Sequence, residues 1–232
     1  MANDNDLIAK HNPIDIIDWE HSITENTFDE KMSKELDQCF NDWENKRHLK
    51  KPTDELWNDK FVSYVGLIFF PDTSRWKDTV DYVWARTKHS PRFNVNARDY
   101  MVVLELSIMK PNSNYHFHID DPRKQFTGVC YWRQGKEGTI VKSGENIAKI
   151  NFKHNRCLWF SNIEEDLWRD VKQRENNILP WHTMENKTDM PRYTVNINYT
   201  PQHSIDRFLK AKSVQFNYYL KNKKPLWIPT VL

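Results

Sequence analysis

The chain has little glycine and little cysteine, and it has no long apolar run. Only five of its 232 residues are glycine, and four of them (Gly128, Gly135, Gly138 and Gly144) lie in one short stretch. No apolar run approaches the roughly 20 residues that cross a bilayer, so we expect no membrane partner. The three cysteines are an odd number without the spacing of a metal site. We therefore expect buried thiols in a reducing compartment, the cytoplasm.

An excess of charge of either sign is also missing. The 34 lysines and arginines nearly balance the 32 aspartates and glutamates, for a formal net charge of +2. Nothing here matches the basic stripe of a nucleic-acid-binding protein, so a nucleic-acid partner is not expected. Hydrophobic residues make up 38% and aromatic residues 13% of the chain. This composition predicts one globular domain over residues 1–232, with a core rich in large rings.

The first 99 residues are predicted to be helices and connectors that support the core. Residues 30–46 place Met32, Leu36 and Phe40 at helical spacing, which predicts one apolar helix face. A second helix is predicted over residues 74–88, with Ser74 as its N-cap.

From about residue 100 the apolar residues recur with a period of two, which is typical of strands. Seven runs show it: 101–109, 126–132, 138–142, 146–152, 156–160, 178–184 and 192–199. The clustered glycines lie between these runs, where hairpin turns need them. We predict an α+β, mainly β fold whose core, residues 100–200, is a barrel or jelly roll. Residues 201–232 are predicted to form a C-terminal helix, over about 204–222, and a tail.

The charged residues 161–177 interrupt the strand rhythm. Long insertions between strands are often lids or partner surfaces. A surface helix packed on the sheet is an equally good interpretation, and the sequence does not separate the two.

The sharpest local motif is NYHFHID, residues 114–120. Residues two apart on an extended chain point to the same side, so His118 and Asp120 can converge on one ion. An imidazole and a carboxylate are suitable ligands for ferrous iron. Such a pair alone is a common coincidence.

A second motif follows 64 residues later. His182 lies in a strand-like run, and Arg192 and Thr194 are two apart on the last strand-like run. Arg192 and Thr194 therefore share a face of that strand. A guanidinium beside a hydroxyl is the expected receptor for a carboxylate, because it offers parallel charge-assisted hydrogen bonds.

Together these residues resemble the motif set of the 2-oxoglutarate oxygenases, and most closely the prolyl hydroxylase-like subgroup. Residues 152–160 (FKHNRCLWF) are similar to the strand before the distal histidine of that subgroup, and residues 192–199 (RYTVNINY) to its closing strand. The resemblance covers about residues 100–200. It implies a double-stranded β-helix, a cupin-like jelly roll, with the site inside one open end.

The resemblance also implies a chemistry. His118, Asp120 and His182 would be the catalytic ligands of Fe(II), and Arg192 with Thr194 would bind the distal carboxylate of 2-oxoglutarate. Dioxygen would be the third reactant, and an unactivated C–H would be hydroxylated as 2-oxoglutarate is decarboxylated to succinate. Small enzymes of this kind occur in phages, in which case the compartment would be the host cytoplasm.

Several details stay open at this point. A tyrosine often touches 2-oxoglutarate in this family, and the candidates are Tyr131, Tyr115 and Trp132, because a register error of one residue reverses the face. His116 is expected at the rim of the site, since three ligands already complete the metal face.

The substrate is also open. It is expected to be a small molecule or a peptide, with a prolyl or other amino-acid residue as the target, and the oligomeric state is not indicated. Two alternatives to the oxygenase are a cupin-type metalloenzyme that does not use 2-oxoglutarate and a non-catalytic jelly-roll binding module.

Overall fold

Two antiparallel sheets lie face to face in the computed structural model, which describes residues 14–47, 62–70, 75–86, 100–122, 124–162, 169–170, 179–201 and 228–229. The strands are β1 (His21–Thr24), β2 (Val62–Phe70), β3 (Tyr100–Met109), β4 (Ser113–Asn114), β5 (Phe126–Trp132), β6 (Thr139–Ser143), β7 (Asn146–Lys149), β8 (Cys157–Ser161), β9 (Trp181–Asn186), β10 (Arg192–Pro201) and β11 (Ile228–Pro229). The helices are α1 (Glu30–Arg47) and α2 (Lys77–Trp84). None of the described helices is long and apolar enough to cross a membrane.

The larger sheet has the strand order β1-β8-β5-β10-β3-β2-β11, and the smaller sheet has the order β4-β9-β6-β7. From β3 to β10 the chain passes back and forth between the two sheets, so that each sheet takes four strands of this segment. This winding is that of a double-stranded β-helix, and the predicted fold class is confirmed.

The larger sheet is covered on both faces. One face packs against α1 and α2, through a cluster that includes Leu36, Val80 and Leu104. The other face, called here the inner face, looks toward the smaller sheet and includes Val129 and Leu158. Because β5 lies between two neighbouring strands and is covered on both faces, all seven of its residues are buried, the polar Thr127 included.

Helix α1 matches its prediction closely, and Met32, Leu36 and Phe40 are buried. The Asp29 side chain caps it by accepting a hydrogen bond from the Met32 amide, at 2.8 Å. Helix α2 is shorter than predicted. Trp76, and not Ser74, occupies its N-cap position, and no side-chain hydrogen bond caps it.

Helix α1 is also fastened to the ends of β5 and β10. The Trp132 indole donates to Asp37 at 2.9 Å, and the Arg133 guanidinium donates to Glu44 at 2.8 Å. The Tyr193 hydroxyl donates to the same Glu44 carboxylate. These polar contacts join the helix to Trp132, Arg133 and Tyr193 at one end of the larger sheet.

The prediction that residues 1–99 hold only helices and connectors was wrong. Strands β1 and β2 lie in this part of the chain, and β2 pairs with β3 along nearly its whole length. The run that forms β2, VSYVGLIFF, is rich in strand-forming residues but lacks the period of two that the prediction relied on. Strands β4 and β11 have two residues each, too few to show a period.

Two other predictions cannot be compared with the structure. The predicted helix over residues 204–222 lies outside the described residues. So does most of the 161–177 segment, where only residues 161, 162, 169 and 170 are described.

Gly138 precedes β6 at a close approach between two backbone segments. A Cβ atom at this position would lie 1.5 Å from the carbonyl oxygen of Ile150, and the Ile150 amide is held by the Thr139 carbonyl at 2.9 Å. Since a backbone segment cannot rotate away as a side chain can, Gly138→Ala is expected to lower the free energy of unfolding by about 3 kcal/mol or more. Urea denaturation measures this change.

Gly144→Ala is the matched control. Gly144 has a φ of 55° but open space around it, so the substitution is expected to cost only about 1 kcal/mol. Equal stabilities of the two variants would contradict the close approach at Gly138.

All three cysteines are free and buried, as predicted. Burial raises the pKa of the Cys39 thiol, and burial followed by contact with Cys130 raises that of Cys157. Because the thiolate is the reactive form, the folded protein is expected to react very slowly with the thiol reagent DTNB. In denaturant all three thiols should react at once. A thiol that titrates rapidly in the folded protein would contradict this burial.

Candidate metal centre and anion receptor

His118 and His182 are brought side by side by the backbone. His182 is the second residue of β9, and each of the two residues donates its amide hydrogen to the carbonyl of the other, both at 3.0 Å. Their ring centroids lie 4.3 Å apart. His118 forms an isolated bridge in the segment after β4.

Both histidines present the same ring nitrogen to the site. The Nδ1 atom of His118 lies 3.1 Å from the His116 carbonyl oxygen, and that of His182 lies 2.9 Å from the Pro180 carbonyl oxygen. A carbonyl oxygen can only accept, so each Nδ1 carries the hydrogen and each Nε2 has a free lone pair. Burial, followed by the neighbouring His182, lowers the pKa of His118 to about 4, and burial lowers that of His182. Both rings are therefore neutral at pH 7.

Asp120 completes the cluster. The candidate ligand atoms of His118, Asp120 and His182 all lie within 4.8 Å of one another, and Asp120 Oδ1 is 3.8 Å from His118 Nε2. Burial by itself would raise the pKa of the Asp120 carboxyl. The charge of Lys124 and then the two histidines outweigh burial and hold that pKa well below its usual range. Two neutral imidazoles and one carboxylate form a donor set that fits a ferrous ion.

A polar network surrounds the Asp120 carboxylate. Asp120 Oδ2 accepts a hydrogen bond from the Thr127 hydroxyl at 3.0 Å. Lys124 Nζ lies 3.6 Å from Asp120 Oδ1 and 3.5 Å from Glu105 Oε2. Asn198 donates to the same Glu105 oxygen at 3.4 Å.

Sequence reasoning missed this network. Its only signal in the sequence is that Glu105, Thr127 and Asn198 stand at inner-face positions of three neighbouring strands. That relation depends on the register between β3, β5 and β10.

Arg192 begins β10 and is almost fully buried, with 1% of its surface exposed. Its guanidinium donates to the Glu137 carbonyl at 2.9 Å and to the Thr139 hydroxyl at 3.3 Å, and it contacts the Met184 sulfur at 3.0 Å. Within the described ranges no carboxylate pairs with it. Burial lowers the pKa of Arg192 to about 10, so it is still charged at pH 7. A buried cation without a counter-ion is costly unless an anion binds there.

Thr194 and Tyr131 lie on the inner face next to Arg192. They are direct partners across β10 and β5. The Thr194 hydroxyl is 2.8 Å from the Ser107 hydroxyl, and the Tyr131 ring centroid is 5.5 Å from the Arg192 guanidinium carbon. The Tyr131 hydroxyl accepts a hydrogen bond from the Thr139 amide at 3.0 Å.

The other two aromatic candidates lie elsewhere. Tyr115 stands at the metal end, with its ring centroid 4.8 Å from that of His118. Its ring stacks on the exposed His116 at 4.5 Å. Trp132 faces α1 on the other side of the sheet. Of the three aromatic candidates, only Tyr131 lies against the buried guanidinium.

Alternate residues of β10 connect the two ends of the site. Arg192, Thr194, Asn196 and Asn198 all stand on the inner face, because side chains two apart share a face. Asn198 is the cross-strand partner of Thr127, which holds Asp120. Thr194 and Asn198 are roughly 13 Å apart along the strand. Between them the Oδ1 atom of Asn196 is buried and has no hydrogen-bond partner among the described residues.

Fold and site together define a jelly roll with a candidate metal centre at one end of its inner face and a candidate anion receptor at the other. Solved structures of similar fold include prolyl hydroxylases and a 2-oxoglutarate-Fe(II) oxygenase. One is a viral collagen prolyl hydroxylase from Paramecium Bursaria Chlorella virus-1, at 13% identity over 78% of this chain and 96% of that one, with a TM-score of 0.48.

Two further structures are similar at the same level. A prolyl-4-hydroxylase from Pseudomonas putida has 8% identity over 79% of this chain and 94% of that one, with a TM-score of 0.47. An oxidoreductase of the 2OG-Fe(II) oxygenase family from Burkholderia pseudomallei has 10% identity over 78% and 84%, with a TM-score of 0.44. No family model and no curated protein sequence matches the chain. The chain's own strand order defines its fold, and its own residues define the site.

Proposed function

We propose that this protein is an Fe(II)- and 2-oxoglutarate-dependent dioxygenase that hydroxylates an unactivated C–H bond. The observation that carries the proposal is the placement of two features on one inner face. The His118, Asp120 and His182 cluster stands at one end, and a buried guanidinium without a carboxylate partner among the described residues stands at the other. A metal centre alone would need no such cation.

The metal ligands would be His118 Nε2, His182 Nε2 and an oxygen of Asp120. Both imidazoles are held in the required tautomer by backbone carbonyls, so metal binding needs no proton rearrangement on them. Two histidines and one carboxylate would hold a ferrous ion and would leave it coordination positions for reactants. When bound, the ferrous ion supplies oxidative chemistry in which 2-oxoglutarate is decarboxylated to succinate.

Arg192 would bind the distal carboxylate of 2-oxoglutarate. A guanidinium has five N–H donors, and the contacts with Glu137, Thr139 and Met184 use three of them, which leaves two for an anion. The Tyr131 hydroxyl oxygen accepts from the Thr139 amide, so its own hydrogen can be donated to the same carboxylate. Thr194 would add a further hydroxyl, consistent with its buried position on this face.

The hydroxylated substrate is proposed as a prolyl or other amino-acid residue, in a peptide or as a free small molecule. This part of the proposal rests on the resemblance of the motifs alone. A carboxylate at position 120 favours hydroxylation over halogenation, because in halogenating relatives a small residue leaves room for chloride there. Free, buried thiols suit a reducing compartment, and we place the protein in the cytoplasm, the host's if a phage encodes it.

Anaerobic titration of the protein with Fe(II) and 2-oxoglutarate tests the proposal. A weak visible charge-transfer band should appear only when both are present, and a substrate screen should then detect succinate. Metal binding without the band would favour the cupin-type alternative. A folded protein that binds neither Fe(II) nor Mn(II) would favour the non-catalytic binding module.

A further inference from the structure

Lys124 lies in an unusual place for a cation, because it stands beside a proposed metal ligand. Its ammonium is 3.6 Å from Asp120 Oδ1 and 3.5 Å from Glu105 Oε2. Its side chain is only 12% exposed, and that of Glu105 only 1%. Asp120 Oδ1 is also the oxygen nearest His118 Nε2, at 3.8 Å. A metal ion held by this oxygen and the two imidazoles would therefore meet the ammonium at short range.

Asp120 also has a neutral hydrogen-bond partner. The Thr127 hydroxyl donates to the other carboxylate oxygen at 3.0 Å, and the Asn162 amide in turn donates to Thr127 at 2.9 Å. These contacts hold the second oxygen without adding charge. Lys124 differs from them because it brings a positive charge to the site. Because the pair is largely buried, salt screens that effect little.

The charges around the cluster explain what the ammonium would do. Asp120 and Glu105 contribute two negative charges and Lys124 one positive charge, so the three residues sum to −1. A divalent ion changes that sum to +1. An anionic ligand of the metal would then restore neutrality, which is a large gain in a buried site.

We propose that Lys124, held between Asp120 and Glu105, lowers the affinity of the triad for a divalent ion and raises the affinity of the site for the anionic co-substrate, so that the ion is held firmly only when both are bound. The inference rests on the proposed function and goes beyond it, because it assigns an electrostatic role to two residues that are not ligands. The attraction between the bound ion and the anion makes their binding reciprocal. If 2-oxoglutarate strengthens metal binding, the metal strengthens 2-oxoglutarate binding by the same factor.

The test measures Mn(II) affinity of the full chain by electron paramagnetic resonance of the free ion, with and without 2-oxoglutarate. Lys124→Met is expected to bind Mn(II) about tenfold more tightly, or better, in the absence of 2-oxoglutarate. The gain in affinity that 2-oxoglutarate produces is set by the attraction between the ion and that anion, so it should stay about the same in Lys124→Met. Lys124→Gln should behave in the same way, and Lys124→Arg, which keeps the charge, should resemble the parent protein.

Glu105→Gln gives the opposite expectation. Without its carboxylate the ammonium is paired with Asp120 alone among these residues, so Mn(II) affinity should fall, and the Lys124→Met change should restore it in the double variant. Lys34→Met is the matched control. Lys34 forms an ion pair with the residue four positions before it, as Lys124 does, but on the exposed surface of α1, so no change is expected.

The outcomes separate the two proposals. If the parent protein does not bind Mn(II), both the proposed function and the role of Lys124 are overturned. If the parent binds Mn(II) while Lys124→Met and Lys124→Gln bind it equally or more weakly with their circular dichroism unchanged, the role of Lys124 alone is overturned.

Discussion

His182→Ala is expected to abolish turnover and to weaken Mn(II) or Fe(II) binding by well over about 100-fold, since loss of a residue that only supports a ligand already costs about 10- to 100-fold. His182 is 3% exposed and contributes its Nε2 lone pair to the cluster. Removing it leaves one imidazole and one carboxylate, which cannot complete a three-ligand face. The two readouts are Mn(II) affinity, measured by electron paramagnetic resonance, and succinate release, measured by chromatography.

His116→Ala is the control for this variant. His116 lies two residues before His118, but its side chain is exposed and lies outside the cluster of ligand atoms. The change removes an imidazole from the same segment and keeps the His116 carbonyl that orients His118. We expect metal affinity to be retained. If His182→Ala bound metal as well as His116→Ala does, the metal centre would be misassigned.

Arg192→Met is expected to weaken 2-oxoglutarate binding by about 100-fold or more while metal binding is kept. Each hydrogen bond to a charged group contributes about 1.5–3 kcal/mol, and two are proposed between Arg192 and the distal carboxylate. Methionine fills a similar volume without the charge. Calorimetric titration of 2-oxoglutarate into the Mn(II)-loaded protein measures the change.

Arg192→Met should lower the free energy of unfolding less than the loss of an ordinary buried side chain does. The native site confines a cation for which no carboxylate partner is found among the described residues, so its removal relieves a desolvation cost that offsets part of the lost hydrogen bonds. Arg133→Met provides the contrast. Arg133 pairs with Glu44 of α1, and this change should lower stability and reduce 2-oxoglutarate affinity far less than Arg192→Met does. Equal 2-oxoglutarate affinities in the two variants would contradict the receptor role of Arg192.

The larger strands could be predicted because their residues carry a local period. Each of the seven runs predicted after residue 100 overlaps an observed strand, and β5 spans residues 126–132 as predicted. Placing Arg192 and Thr194 on one face also needed only the period of two. Strand β2 was missed because its apolar residues do not alternate.

The site was less accessible to sequence reasoning, because it depends on pairing between distant strands. The motif placed His118 and Asp120 on one side of an extended chain, but the position of His118 is set by two hydrogen bonds to His182, 64 residues away. The choice among Tyr131, Tyr115 and Trp132 required the register of β5. Lys124 and Glu105 are 19 residues apart and carry no shared motif.

The attachment of helix α1 has a consequence for the proposed anion receptor on the opposite side of the sheet. Tyr131 and Arg192 face inward, while their chain neighbours Trp132 and Tyr193 are tied to Asp37 and Glu44 behind them. The helix therefore restrains the ends of β5 and β10, which carry Tyr131 and Arg192. A substitution in α1, on the opposite face of the sheet, is therefore expected to lower the affinity for a dicarboxylate. Residues that set co-substrate affinity should be sought on this face as well.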